Sequence, residues 1–274
     1  MTPDPNQPAP LAHDRSGPAG APALLLLHAG VADRRMWDPA WDRLTASYDT
    51  VRLDLRGFGE STTPPEAGWS SSADVLATLD ALGIDRVHVV AASFGAGVAV
   101  ETALVRPSAV ASLVLLAPGG ALMPARTDDL RAFIAAEDDA LERDDLDAAA
   151  QANVDTWLVG PGRDPDAVPE DVRRLVHTMQ RRAFEIDADW PDVDEAELDP
   201  PALDRLGEVA APTLVVQGAL DLEAIRLAAD TVTAGIPGAE RIDWPDVAHL
   251  PSLERPDDVA ALVEEWIDRH ASIP

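Results

Sequence analysis

Short apolar runs alternate along this chain with longer stretches in which apolar residues recur every three or four positions. The runs at 23–27, 51–55, 87–92, 112–117 and 213–217 are nearly unbroken in Val, Leu and Ala, and 240–243 is a weaker candidate. A strand covered on both faces has no solvent side, so its apolar character is continuous rather than alternating. The stretches between predict helices near 36–46, 72–82, 94–105, 222–234 and 256–270. In the last of these, Val259, Leu262, Val263, Trp266 and Ile267 fall on one helical face. Strand–helix alternation of this kind predicts βαβ units around a mainly parallel sheet.

The alternation breaks between 121 and 205. Amphipathic stretches at 130–136 and 172–184, divided by turns such as Gly160–Pro161–Gly162, predict a helical insertion between two strands. The expected organisation is an α/β core from 11–120 and 206–274, a helical cap over 121–205, and a Pro-rich, disordered start at 1–10.

Composition narrows the options. The chain has 274 residues, 46% of them hydrophobic, enough for one sizeable core. It has no cysteine, which excludes disulfides, thiolate metal sites and a thiol nucleophile. The net charge is −28, and all 21 basic residues are arginine. Coding bias in a GC-rich genome gives such a composition, and so does adaptation to high salt. Either way the surface repels nucleic acid and anionic membranes. There is no run of 18 apolar residues and no secretory leader pattern, so a soluble cytoplasmic protein is expected.

Five segments carry chemistry. In 89–97, VVAASFGAG, a buried strand runs into a small-residue helix with Ser93 at the junction. Ala91 and Gly95, two residues to either side, are small enough for the sharp turn that exposes a serine hydroxyl, although a serine there also suits an ordinary helix cap. A strand at 24–27 ends in His28–Ala29–Gly30, where His28 is expected to stiffen the loop by hydrogen bonding. Asp54–Leu55–Arg56–Gly57–Phe58–Gly59–Glu60–Ser61 follows another strand and reads as a tight, salt-bridged turn, with no phosphate-cradle feature. Asp221 ends a strand-turn segment 128 residues after Ser93, and the alternative for it is a helix cap before Leu222. His249 lies 28 residues further on, on a loop before the last helix. Four other histidines sit poorly for catalysis: His13 and His270 lie near the ends, His88 within a strand and His177 in the insertion.

Taken together, LLLLHAG (24–30), LDLRGFGES (53–61), AASFGAG (91–97), PTLVVQGALD (212–221) and VAHLPSLERPDDV (247–259) resemble the α/β-hydrolase fold family, in particular its cap-bearing esterase, lactonase and C–C hydrolase branch. The sequence departs from the family in having Ala91 where glycine is common. Its N-terminal portion also looks too short for the usual first strand or two. The resemblance implies Ser93 as nucleophile, His249 as general base and Asp221 as the acid that orients it. It implies an oxyanion hole from the backbone amides of Gly30 and Phe94. No metal or organic cofactor is implied. The expected reaction is hydrolysis of a carboxylic ester or lactone through an acyl-enzyme. The alternatives are C–C hydrolysis of a diketone-like compound and a non-catalytic ligand-binding member of the fold. Trp157 and Trp190 are candidates for the pocket wall. The insertion holds 23 acidic residues against nine arginines. If these rim the entrance, neutral esters or lactones are the expected substrates.

Overall fold

The computed structural model describes residues 10–191 and 193–270, in which seven strands form one sheet. These are β1 (His13–Ser16), β2 (Ala23–Leu27), β3 (Asp49–Leu53), β4 (Val87–Ala92), β5 (Val110–Leu116), β6 (Thr213–Gly218) and β7 (Glu240–Trp244). Their order is β1-β3-β2-β4-β5-β6-β7, and every pair is parallel except β1–β3. The helices are α1 (Asp38–Thr45), α2 (Ser71–Leu82), α3 (Phe94–Val105), α4 (Asp128–Glu142), α5 (Leu146–Asn153), α6 (Glu170–Asp187), α7 (Glu223–Gly235), α8 (Pro251–Glu254) and α9 (Pro256–His270).

Because strand side chains alternate faces, each apolar run feeds two cores. Leu24 and Leu26 join Val90, Val114 and Val216 beneath Leu44 of α1 and Val259, Val263 and Trp266 of α9. Leu25 and Leu27 join Val89, Leu113 and Val215 against Val75 of α2, Val98 and Ala103 of α3, and Val232 of α7. This is why the central strands β2, β4 and β5 are apolar on both faces, broken only by the buried His88 of β4 and Ser112 of β5, which hydrogen-bond each other (2.8 Å).

Local signals set the helix ends. Ser70 caps α2 by accepting a hydrogen bond from the Ala73 amide (3.3 Å), and Gly83, at φ 68°, ends it in a left-handed turn. The helix predicted from 36 starts instead as a 3-10 turn over Arg34–Trp37, capped by Asp33, before α1 begins. The sheet also has an edge strand where the sequence offered none. β1 is His-Asp-Arg-Ser, with no apolar alternation to mark it, and it closes the sheet antiparallel to β3. Of the expected disordered stretch, all but Pro10 lies outside the described residues.

Between β5 and β6 the described residues hold helices and no strand: α4, α5, a π-helical turn at Val154–Val159, and α6. The stretch 193–196 then runs past the start of α2, where the Ala196 amide donates to the Trp69 carbonyl (2.8 Å). No helix among the described residues is long and apolar enough to cross a membrane.

Parallel pairing sends the loops after β2, β4, β5, β6 and β7 out of one end of the sheet. The chain steps outward from β2 to β3 and then back across β2 to β4. The loops after β2 and β4 therefore diverge, and a crevice opens between them.

Trp266 is 1% exposed at the centre of the α9 face, and its indole N–H finds no acceptor among the described residues. Trp266→Ala is expected to cost about 3–5 kcal/mol through the cavity it leaves. Trp266→Phe keeps most of the ring and discards the unsatisfied donor, so its cost is expected to be well under half of that. Urea unfolding of both variants checks this, and equal losses would refute it.

Candidate active site

β4 ends at Ala92, and Ser93 turns the chain into α3 with φ 49° and ψ −114°. Such a backbone is strained for any residue with a side chain. Its neighbours hold it there: the Ser93 amide donates to the Leu116 carbonyl on β5 (2.9 Å), and the Ser93 carbonyl accepts from Ala96 (2.9 Å) and Gly119 (3.2 Å). Gly95 is needed because a Cβ there would lie 2.5 Å from the His28 carbonyl oxygen. Ala91, the departure from the usual glycine, is fully buried in the core beneath α2 and α3.

The loops after β6 and β7 bring two more side chains to this serine. His249 Nε2 stands 2.7 Å from Ser93 Oγ, and His249 Nδ1 stands 2.7 Å from Asp221 Oδ2. A carboxylate only accepts, so Nδ1 carries the proton and Nε2 is free to accept from the serine hydroxyl. Asp221 also accepts from the Leu222 amide (2.7 Å) and the Gln217 side-chain amide (3.3 Å), which fixes its carboxylate plane. It does not cap α7, whose cap position is Leu222 and carries no side-chain bond, so the alternative the sequence left open is not what the structure shows. His249 and Asp221 are buried, while Ser93 is partly open.

Gly30 and Phe94 meet across the crevice. A Cβ on Gly30 would touch the Phe94 Cβ at 3.4 Å, so the two backbones pack closely. The Phe94 amide opens α3 and has no partner within that helix. His28 holds the Gly30 loop in place. Its Nδ1–H donates to the Ala29 carbonyl (2.8 Å) and its Nε2 accepts from the Leu55 amide (2.9 Å), joining the ends of β2 and β3. Complete burial pushes its pKa down and keeps the ring neutral for both bonds.

The Asp54–Ser61 turn is structural, though its ion pairs differ from the expected one. Asp54 binds the Arg34 guanidinium, the Arg34 amide (2.8 Å) and the Glu60 amide (2.8 Å), while Arg56 pairs with Asp74 of α2 (2.6 Å). Asp54 and Arg56 thus brace different neighbours rather than each other.

Ser93 and His249 line a cavity of about 560 Å³. Its walls are largely apolar: Val31, Met123, Leu130, Phe133, Ile134, Trp157 and Ile225. Trp157 lies against the catalytic candidates, with its ring centroid 4.6 Å from that of His249 and 5.0 Å from Phe133. The structure does not bring Trp190 to this cavity. A Cβ on Gly57 would stand 3.2 Å from the Trp190 ring, which covers the Asp54–Ser61 turn instead. Sequence reasoning missed Phe133 and Ile134. The Leu130, Phe133, Ile134 spacing on α4 was their signal, since it marks one helical face. The expectation of neutral substrates assumed acidic residues around the entrance. None of the residues lining this cavity is acidic, and its one arginine is Arg126. Six carboxylates of the insertion are engaged at the surface. Asp128, Asp139, Asp147, Asp166, Glu170 and Glu185 form surface ion pairs with nearby arginines.

Asp194, Glu195 and Glu197 instead line a second cavity of about 740 Å³ with Glu101 of α3, behind Phe94 and Gly120. Burial, and then the charges of Glu195 and Glu197, push the Glu101 carboxyl from 4.5 up to about 7. The folded state therefore holds this proton to higher pH than the unfolded chain, and stability drains away as pH rises from about 4.5 to 7. Glu101→Gln removes the ionisable group. Its melting temperature relative to wild type is expected to rise more at pH 8 than at pH 5. An equal shift at both pH values would refute the linkage.

A family model described as the alpha/beta hydrolase family matches residues 24–262. The chain belongs to that family. It is 25% identical over 260 residues to the carboxylesterase YbfK of Bacillus subtilis, covering 89% of this chain and 79% of the relative. It is 28% identical over 256 residues to the putative carbamate hydrolase RutD of Klebsiella pneumoniae, covering 87% and 88%. Among solved structures, a hydrolase from Pseudomonas aeruginosa superposes with a TM-score of 0.75 at 25% identity over 94% of each chain.

Proposed function

We propose that this family member is a serine hydrolase that cleaves a carboxylic ester or lactone through an acyl-enzyme. The observation that carries the reading is the hydrogen-bonded chain from Ser93 through His249 to Asp221, with 2.7 Å at each link, opening into an apolar cavity. Ser93 Oγ attacks the carbonyl carbon while His249 Nε2 takes its proton. Asp221 keeps the imidazole in the required tautomer and stabilises the imidazolium. The amides of Gly30 and Phe94 receive the oxyanion. His249 then returns the proton to the leaving alkoxide. Water, deprotonated by the same nitrogen, attacks the acyl-enzyme; the acyl–Oγ bond breaks, His249 returns the proton to Ser93 Oγ, and the acid leaves. A serine nucleophile suits acyl transfer to water, and the carboxylesterase among the relatives points the same way. The helical segment 121–205 serves as the cap: Trp157, Phe133 and Ile134 give the acyl or alcohol group its apolar wall.

Ser93→Ala is expected to lower kcat on an activated ester by several orders of magnitude with little change in unfolding midpoint. An organophosphonate is expected to label Ser93 and no other residue. Retention of more than about a tenth of kcat, or an adduct mapped elsewhere, would overturn the assignment.

A further inference from the structure

Arg126 is unlike the other arginines of this chain. The sequence has 49 carboxylate side chains against 21 arginines, and 18 of the arginines form ion pairs in the structure. Arg226 donates to the Ala219 carbonyl (3.3 Å), and Arg86 has a partner of its own. The Arg126 guanidinium has neither a hydrogen bond nor an ion pair among the described residues. Its neighbours are already engaged. Asp128 binds Arg131, and Asp129 accepts from the Leu130 amide (2.8 Å), the Thr127 hydroxyl and the Glu223 amide (2.7 Å). Arg131 also occupies the Arg126 carbonyl.

Arg126 is exposed and is among the residues lining the cavity that holds Ser93 and His249, and no carboxylate shares that wall. In a chain of net charge −28, most positions would supply a counter-ion at once. We propose that Arg126 is the anchor for a carboxylate on the substrate, so that the favoured esters or lactones carry one negative charge remote from the scissile bond. The proposal rests on the serine-hydrolase reading and deepens it. The guanidinium fork matches a carboxylate with two parallel hydrogen bonds. One arginine, with no second basic side chain but the imidazole in the lining, balances one charge, and the surrounding field opposes a second. The apolar side chains along the wall, Leu130, Phe133, Ile134 and Ile225, suit the methylene stretch between the carboxylate and the reacting carbonyl.

The test compares p-nitrophenyl hemiglutarate with p-nitrophenyl hexanoate, which are similar in length and differ in the terminal carboxylate. The quantity read is the ratio of kcat/KM on the acidic ester to that on the neutral one, in wild type, Arg126→Gln and Arg126→Lys. Arg126→Gln is expected to lower the ratio about 10- to 100-fold, chiefly through KM on the acidic ester. Arg126→Lys keeps the charge without the fork and is expected to fall between. Phosphonate labelling of Ser93 is followed in the same proteins. A ratio that Arg126→Gln leaves within twofold of wild type, with labelling intact, overturns the carboxylate anchor alone. Failure of Ser93 to label in wild type overturns the hydrolase reading and the anchor with it.

Discussion

A positive φ at Ser93 is the constraint around which the rest of the site is arranged. The turn lifts the hydroxyl clear of the sheet, and it survives because both sides of it are nearly empty of side chains. Gly95 lets α3 press onto the His28 carbonyl, and Gly119 leaves room for the serine itself, since a Cβ there would lie 3.0 Å from Ser93 Oγ. The apolar strands beneath contribute rigidity: β4 is hydrogen-bonded on both sides, and all six of its residues are buried. A strained residue persists only where its surroundings over-determine it, and here two packed cores do so.

The other site groups inherit their positions from the same sheet. Parallel pairing delivers the Asp221, His249 and Gly30 loops to one end, and each loop is then tied by a polar contact specific to it. His28 ties the Gly30 loop to β3, and Gln217 helps fix the Asp221 carboxylate. Glu254 accepts from the Ala248 amide (2.8 Å) beside His249 and binds Arg163 of the insertion (2.7 Å). Burial is costly for Glu254 and pushes its pKa up, while the Arg163 guanidinium pulls the other way. These ties are side-chain decisions made after the backbone path is set.

The division between what could be read in the sequence and what could not follows the same line. The central strands were legible because burial on both faces leaves a nearly unbroken apolar run. That Ser93, Asp221 and His249 come together was expected from their motifs and chain order, and the structure brings the three side chains into one hydrogen-bonded chain. β1 was invisible because an edge strand of four polar residues has no periodic signal. α5 and the π-helical turn escaped because their residues are mostly small or mixed, as in LDAAAQAN. Trp190 was misplaced because two tryptophans in one helical segment look alike until the chain path sends one to the Asp54–Ser61 turn. The charge of the insertion misled for a related reason. A sum over 85 residues says nothing of direction: none of these carboxylates lines the Ser93 cavity, six pair with surface arginines, and three line the second cavity. The solitary state of Arg126 is a property of its neighbours' partners, which no local pattern encodes.

The strip from Trp157 to Arg163 belongs to the insertion, yet it is built into the histidine loop. Its Trp157 carbonyl accepts the His249 amide (3.3 Å), and its Gly160 sits where a Cβ would be 3.0 Å from Ala248 and 2.8 Å from the Leu220 carbonyl oxygen. Its Arg163 reaches Glu254. Swinging this strip outward as a rigid door would withdraw at once the ring packed at a tilt against the imidazole, the acceptor of its backbone amide and the brace of the residue behind it. The strip and the placement of His249 are therefore one mechanical part, and neither can shift without the other.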